Sequence, residues 1–247
     1  MKTFWTMLKT ELKLNIRDMN MVIFAILMPL VVLVILGLLY GGAPAFEGAD
    51  YTFLEQSFGA VSTISICASG LMGLPLVVSE YRERKILKRL QVTPVRPAML
   101  LSVQLAVYTL YSLCSLVLLY GVARLAWGVR IRGAWPAFLG GWLLVLVSML
   151  AVGMMVGGIS KDSKQAGIIA SILYFPMLVF SGATLPYEIM PPALQRIAGV
   201  MPLTQGIKLV KAACLGQSAA GTWLSIAVLA GVAAVCIGVS LRWFKWE

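Results

Sequence analysis

The side chains able to do chemistry are concentrated in one stretch, Ser79 to Pro97, SEYRERKILKRLQVTPVRP. It carries Arg82, Arg84, Lys85, Lys88, Arg89 and Arg96 between two long apolar segments without formal charge. On a 3.6-residue period, Ile86, Leu87 and Leu90 fall on one side, and Arg84, Lys85 and Lys88 fall on another. Pro94 stops the helix, because it has no N–H to donate and biases Thr93 towards extended geometry. A charged helix between two membrane spans cannot enter lipid, so it stays in water at the membrane face. The expected product is a short amphipathic helix able to dock an apolar ridge into a soluble partner. The same bases would serve equally as a positive-inside loop that only fixes topology.

Other chemistry is scarce. The chain has no histidine, which removes the commonest general base and metal ligand. Its four cysteines, Cys67, Cys114, Cys214 and Cys236, form no CxxC pair. Three of them lie in apolar segments, so they read as small packing residues. No metal, cofactor or catalytic residue is expected. Of the 247 residues, 60% are hydrophobic and only 12% are charged, and the mean hydropathy is +0.90. Soluble domains are typically about 45–50% apolar and about 25% charged, so the composition is that of a polytopic membrane protein. The formal charge of +10 would suggest nucleic acid in a soluble domain. Here the bases flank apolar spans, where topology and anionic lipid account for them.

The elements that position the basic stretch follow from length. Six segments meet the roughly 20 residues needed to cross a bilayer as a helix: 21–40, 59–78, 99–122, 137–159, 166–185 and 222–241. None contains Asp, Glu, Lys or Arg. Backbone groups in lipid must be satisfied internally, so the spans are helices, and the expectation is a single all-α domain over 1–247. The first apolar run begins only at Met21 and is too long for the h-region of a signal peptide. Before it, residues 1–20 pattern as an interfacial helix, with Phe4, Trp5, Leu8, Leu12, Ile16 and Met19 on one face. With the N-terminus cytoplasmic, Lys2, Lys9, Lys13, Arg17, the 79–97 bases, Lys161, Lys164, Arg242 and Lys245 share one side. Only Arg124, Arg130, Arg132, Arg196, Lys208 and Lys211 fall on the other. That bias places both termini in the cytoplasm, and the acidic 41–58 loop, with Glu47, Asp50 and Glu55, agrees. Arg130 and Arg132, in a short outer loop, fit least well.

Several finer features are read in the same way. Gly153 and Gly157 have small-xxx-small spacing, taken as helix packing, with a subunit contact as the alternative. Ser62, Thr63, Ser65, Ser69 and Gln104 could line a polar route, although such hydroxyls more often bond their own backbone. After the fifth span, Pro186, Pro191-Pro192 and Pro202 interrupt residues 186–212. Proline breaks helices, so short broken helices fold back near the outer face, as an outer gate or an ordinary interfacial loop.

Two of these stretches resemble one known family. YRERKILKRLQVTPVRP resembles the coupling segment of ABC-2 type permeases, and SGATLPYEIMPPALQRIAGVMPLTQGIKLVKAACLG resembles that family's segment before its last span. With the amphipathic N-terminus and six spans, the resemblance covers essentially the whole chain. It implies the transmembrane subunit of an ABC exporter in the cell membrane. Such a subunit pairs with a second, identical or homologous, permease and sits above ABC ATPase subunits that hold ATP and Mg. The resemblance assigns ATPase coupling to Glu80, Arg82, Glu83, Arg84, Leu87, Arg89, Leu90, Thr93 and Pro94. It assigns the outer re-entrant gate to Ser181, Gly182, Pro186, Pro191, Pro202 and Leu203. Where family members often have Gly-Thr, this chain has Lys85-Ile86, which implies a helix less easily broken there.

No P-loop GxxxxGK[ST] occurs in the chain, so ATP hydrolysis is expected in a partner rather than here. The uncharged spans suggest a hydrophobic or amphipathic cargo such as a drug, antibiotic or lipid. Membrane lipids are expected neighbours, and nucleic acid is not. Two other readings compete: a non-transporting membrane scaffold or immunity protein, and an ATP-independent carrier. Carriers usually place ionisable groups inside their spans, which counts against the latter.

Overall fold

The computed structural model describes residues 2–17, 19–86, 97–182, 191–217 and 221–243. Helix α1 (Lys2–Arg17) leads through a short turn, Met19–Val22, into the bundle. Six helices are long and apolar enough to cross a membrane: α2 (Ile23–Tyr40), α3 (Phe53–Glu83), α4 (Ala98–Trp127), α5 (Trp135–Ile159), α6 (Ser163–Phe180) and α9 (Trp223–Arg242). Two shorter helices, α7 (Pro192–Val200) and α8 (Pro202–Leu215), precede α9. The described residues form no sheet beyond one isolated bridge, Pro44 to Thr52.

All six expected spans are present, with shifted ends. The second differs most. Instead of 59–78 it runs from Phe53 to Glu83, so Ser79–Glu83 continue the membrane helix rather than beginning a separate one. Charge does not stop the helix, because Glu55 at one end and Arg82 and Glu83 at the other each find partners. The fifth span ends at Phe180 rather than 185, closed by Ser181 and by Gly182 at φ +89°, a conformation natural to glycine.

Helices α3 and α5 are the core, and the other spans surround them. Their crossing depends on glycine. A Cβ on Gly153 would overlap the Gly70 carbonyl oxygen, and one on Gly70 would lie 2.8 Å from the Met149 backbone. Gly157 lies equally close to Val78 and to the Pro75 carbonyl. The small-xxx-small pair is therefore an internal α3–α5 contact. The expected Ser and Thr behaviour also holds: Ser62, Thr63 and Ser69 donate to their own helix, to the Gly59, Ala60 and Ser65 carbonyls.

Helices α2 and α3 each contain a widened π-helical turn, Ile23–Leu27 and Ala68–Gly73. Each lies just before a proline, Pro29 and Pro75. A proline ring clashes with the carbonyl four residues back and leaves it without a donor. Widening the preceding turn, with Met28 N–H donating to the Ile23 carbonyl and Leu74 N–H to that of Ser69, absorbs the mismatch.

Candidate functional site: the two ends of the bundle

At one end, the last turn of α3 meets four other elements. Tyr81 Oη donates to Glu11 Oε2 (2.8 Å) on α1, and Gln104 Nε2 of α4 donates to the same oxygen (2.8 Å) and to Tyr81 Oη (2.9 Å). Arg82 Nη1 donates to the carbonyls of Gly158 (2.6 Å), Ser160 (2.6 Å) and Gly157 (3.3 Å). Those carbonyls belong to the C-terminal turn of α5, where a cation both fills unpaired acceptors and opposes the helix dipole. Glu83 Oε2 accepts from the Ser163 N–H (3.0 Å) and Oγ (2.7 Å) at the start of α6. Asp162 caps that helix through the Gln165 N–H. Three consecutive side chains, Tyr81, Arg82 and Glu83, thus tie α3 to α1, α4, α5 and α6.

The sequence-predicted coupling residues divide accordingly. Arg82 and Glu83 face the protein's own α5–α6 turn, while Glu80 and Arg84 pair with each other on the surface (2.7 Å). Leu87, Arg89, Leu90, Thr93 and Pro94 lie outside the described residues. The expected stiffness at Lys85-Ile86 is corrected. Helix α3 ends at Glu83, and Lys85 takes φ +54°, the left-handed conformation usual for glycine. Arg84 N–H still reaches the Glu80 carbonyl and Lys85 N–H that of Arg82, the arrangement of a helix C-terminus. Doing this without glycine costs about 1–2 kcal/mol.

The expected apolar face of α1 is divided between two environments. Phe4, Leu8 and Leu12 pack with Val103, Val107 and Tyr111 of α4, but Trp5, Ile16 and Met19 are exposed. The helix is turned so that Glu11 reaches Tyr81 and Gln104. Gln104 therefore anchors α1 rather than lining an open polar route.

At the opposite end Glu55 is buried in the first turn of α3. Its carboxylate accepts from Thr52 N–H (3.3 Å), Arg130 N–H (3.2 Å) and Arg132 Nε (3.0 Å), while Thr52 Oγ1 accepts from Glu55 N–H (3.2 Å). The reciprocal Thr52–Glu55 pair is a capping box. Arg132 also donates to the Asp50 carbonyl. Of the two arginines that fit the charge bias least well, Arg132 thus pairs its side chain with this carboxylate and Arg130 donates its backbone N–H to it.

The α4–α5 loop continues to α8. Arg132 and Gly133 N–H both donate to the Cys214 carbonyl. Burial first, then the Glu55 charge, push the Cys214 thiol up to about 12. From there α8 descends beside α5 until Gly206 meets Val145, ten residues inward from Trp135, a depth of about 15 Å. Pro202 begins α8, Leu203 is fully buried and Pro191 precedes α7. Gln205 holds this segment by donating to the Gly199 carbonyl and accepting from Ser225 Oγ (2.8 Å) of α9. Ser181 is buried at the end of α6 and donates to the Leu178 carbonyl; Pro186 lies outside the described residues. Among the described residues, no three His, Cys, Asp or Glu gather as a metal site would require.

Glu11 and Glu55 are the anchors that sequence reasoning missed. Glu11 had a signal, a lone acid inside a basic helix, and Glu55 had another, the T-x-x-E spacing of a capping box.

Comparison with known proteins agrees with this architecture. Residues 2–215 match the family model described as ABC-2 type transporter. The chain is 29% identical over 157 residues to "Inner membrane transport permease YhhJ" of Escherichia coli K12, covering 62% of this chain and 40% of that protein. It is 33% identical over 98 residues to "Nodulation protein J" of Rhizobium leguminosarum bv. viciae, covering 38% of each. The matched regions thus span less than half the length of these relatives. A family model matched over most of the six-span bundle leaves one conclusion: the chain belongs to the ABC-2 type transporter family.

Proposed function

We propose that this chain is the membrane permease subunit of an ATP-driven exporter, with the ATP-hydrolysing machinery in separate ABC ATPase subunits and a second permease completing the pathway. The observation that carries this reading is the junction at Tyr81–Glu83. A partner that displaces the segment 79–97 pulls on α1, α4, α5 and α6 together, through short hydrogen bonds rather than through a flexible loop. In this reading Glu80, Arg84, Leu87, Arg89, Leu90, Thr93 and Pro94 meet the ATPase, while Arg82 and Glu83 pass its motion into the bundle. ATP-driven closure of the partner shifts the permease between two states. Converting a 1:99 population to 99:1 needs about 5.5 kcal/mol of differential binding.

The α7–α8 segment, with Ser181, Gly182, Pro186, Pro191, Pro202 and Leu203, serves as the outer gate. Broken helices at membrane depth are stable only when packed in protein or lining a cavity. The base-rich α1 end faces the cytoplasm with both termini, and the pathway takes a hydrophobic or amphipathic cargo. The transport activity named for the E. coli relative is consistent with this assignment.

The test is affinity purification of the chain from its own membranes in mild detergent. A stoichiometric P-loop ATPase should copurify and be lost on the double substitution Leu87→Asp with Leu90→Asp. Absence of an ATPase under conditions that keep other ABC complexes intact would overturn the reading. Cysteine labelling at Ser57 from outside and at Gln91 from inside checks the orientation.

A further inference from the structure

A cavity of about 530 Å³ opens between α4, α5 and α9 at the α1 end of the bundle. Its walls are Leu101, Leu105, Val147, Met154, Ile237 and Leu241, with little polar surface. Of the three hydroxyls on the wall, those of Ser102 and Thr109 are committed, donating to the Met99 and Leu105 carbonyls at 2.8 Å each, and Ser240 is the third. An occupant therefore gains by apolar contact, and a polar one would lose its hydration without compensation.

The cavity's length identifies the class of occupant. Along α4 it runs from Ala98 to Thr109, about 16 Å at the helical rise. Along α5 it stops at Val147, the central residue of Trp135–Ile159. It is therefore one leaflet deep in a hydrocarbon core about 30 Å thick. A groove for a spanning helix of a second copy would continue past Val147 along α5. Charge identifies the headgroup. Arg242 directly follows the wall residue Leu241 in the chain, is exposed and makes no ion pair among the described residues.

We propose that this groove is a binding site for one acyl chain of an anionic phospholipid from the adjoining leaflet, with the headgroup phosphate held at Arg242. The inference requires only that the chain spans a bilayer and is independent of the transport reading.

The full chain is reconstituted in vesicles of equal parts phosphatidylglycerol and phosphatidylcholine, with a trace of either lipid carrying a photoactivatable acyl chain. Labelled residues are then mapped by mass spectrometry. The phosphatidylglycerol probe should label the groove walls above the exposed α6 face of Ile168, Ile172 and Phe175, and Ser102→Trp should remove that excess only. Arg242→Gln, an exposed change that spares the fold, should reduce the preference for phosphatidylglycerol about fivefold, the contribution of one base near the surface. Equal labelling of groove and α6 face, or equal labelling by the two lipids, would overturn the site. So would a disulfide between copies formed by Val147→Cys, which would assign the groove to a second permease.

Discussion

The two ends of the bundle solve the same problem in opposite ways. Each must hold α3 against its neighbours where the chain leaves the apolar core. At the Glu55 end a single buried carboxylate gathers a helix cap, the α4–α5 loop and, through it, α8. At the α1 end the task is divided among Tyr81, Arg82 and Glu83, each facing a different helix, and the adjoining Glu80–Arg84 pair is largely exposed. A buried hub with many bonds to one group resists displacement. A row of separate bonds, next to a turn held by a left-handed lysine, can move as a unit while the membrane core stays packed. The contrast is between one end gathered on a single carboxylate and another held by separate bonds to four helices.

Substitutions rank the two ends. Glu55→Ala should have the largest effect. It removes the Glu55 half of the capping box, the bond from the Thr52 N–H, worth about 1 kcal/mol, and leaves Arg132 and the Arg130 N–H without their acceptor, another 1–3 kcal/mol or so. Thermal unfolding of the detergent-purified chain should show a clear drop, smaller for Glu55→Gln; an unchanged midpoint would end the claim that Glu55 is the hub. Arg82→Ala should cost about 2 kcal/mol, the range of charged hydrogen bonds. Its informative readout is the ratio of transport to ATP hydrolysis, which should fall by more than the stability loss explains. If transport and stability fall in proportion, Arg82 is a helix cap only.

Tyr81→Phe should cost about 1–2 kcal/mol by removing two hydrogen bonds, to Glu11 and from Gln104, while Gln104 keeps its own bond to Glu11, and should loosen α1, raising hydrogen exchange in residues 2–17 while residues 53–60 stay protected. Equal loosening of both would erase the distinction between the ends. Arg84→Ala, which breaks an exposed i,i+4 pair, should change stability by less than about 0.5 kcal/mol. Lys85→Gly should raise stability by about 1 kcal/mol by relieving the left-handed backbone. A destabilising result would mean that the lysine side chain has a role of its own.

Much of this was legible in the chain, for identifiable reasons. The spans are visible because about 20 consecutive apolar residues have few alternatives to crossing a bilayer. The broken segment before α9 was announced by Pro191, Pro192 and Pro202, and Gly153–Gly157 by small-residue spacing. The ends of α3 were not legible, because Glu55, Arg82 and Glu83 look like charges that end a span until their partners are known. Arg82 finds its acceptors 75 to 78 residues away, a separation that local pattern does not encode. The division of the α1 face was hidden for a related reason. Hydrophobic periodicity marks an apolar stripe, but not which part of it packs on α4 beside the hydrogen-bonded Glu11.

The amino-acid sequence by itself determined that the chain is helical, how many spans it offers and where its bases collect, because hydropathy, helix period and proline act over neighbouring residues. Tertiary structure alone decided which charges are partners, that the glycine pair joins α3 to α5, that Lys85 turns left-handed and that a leaflet-deep groove opens beside α5. Those outcomes depend on which helices become neighbours, and that is set by packing across the whole bundle.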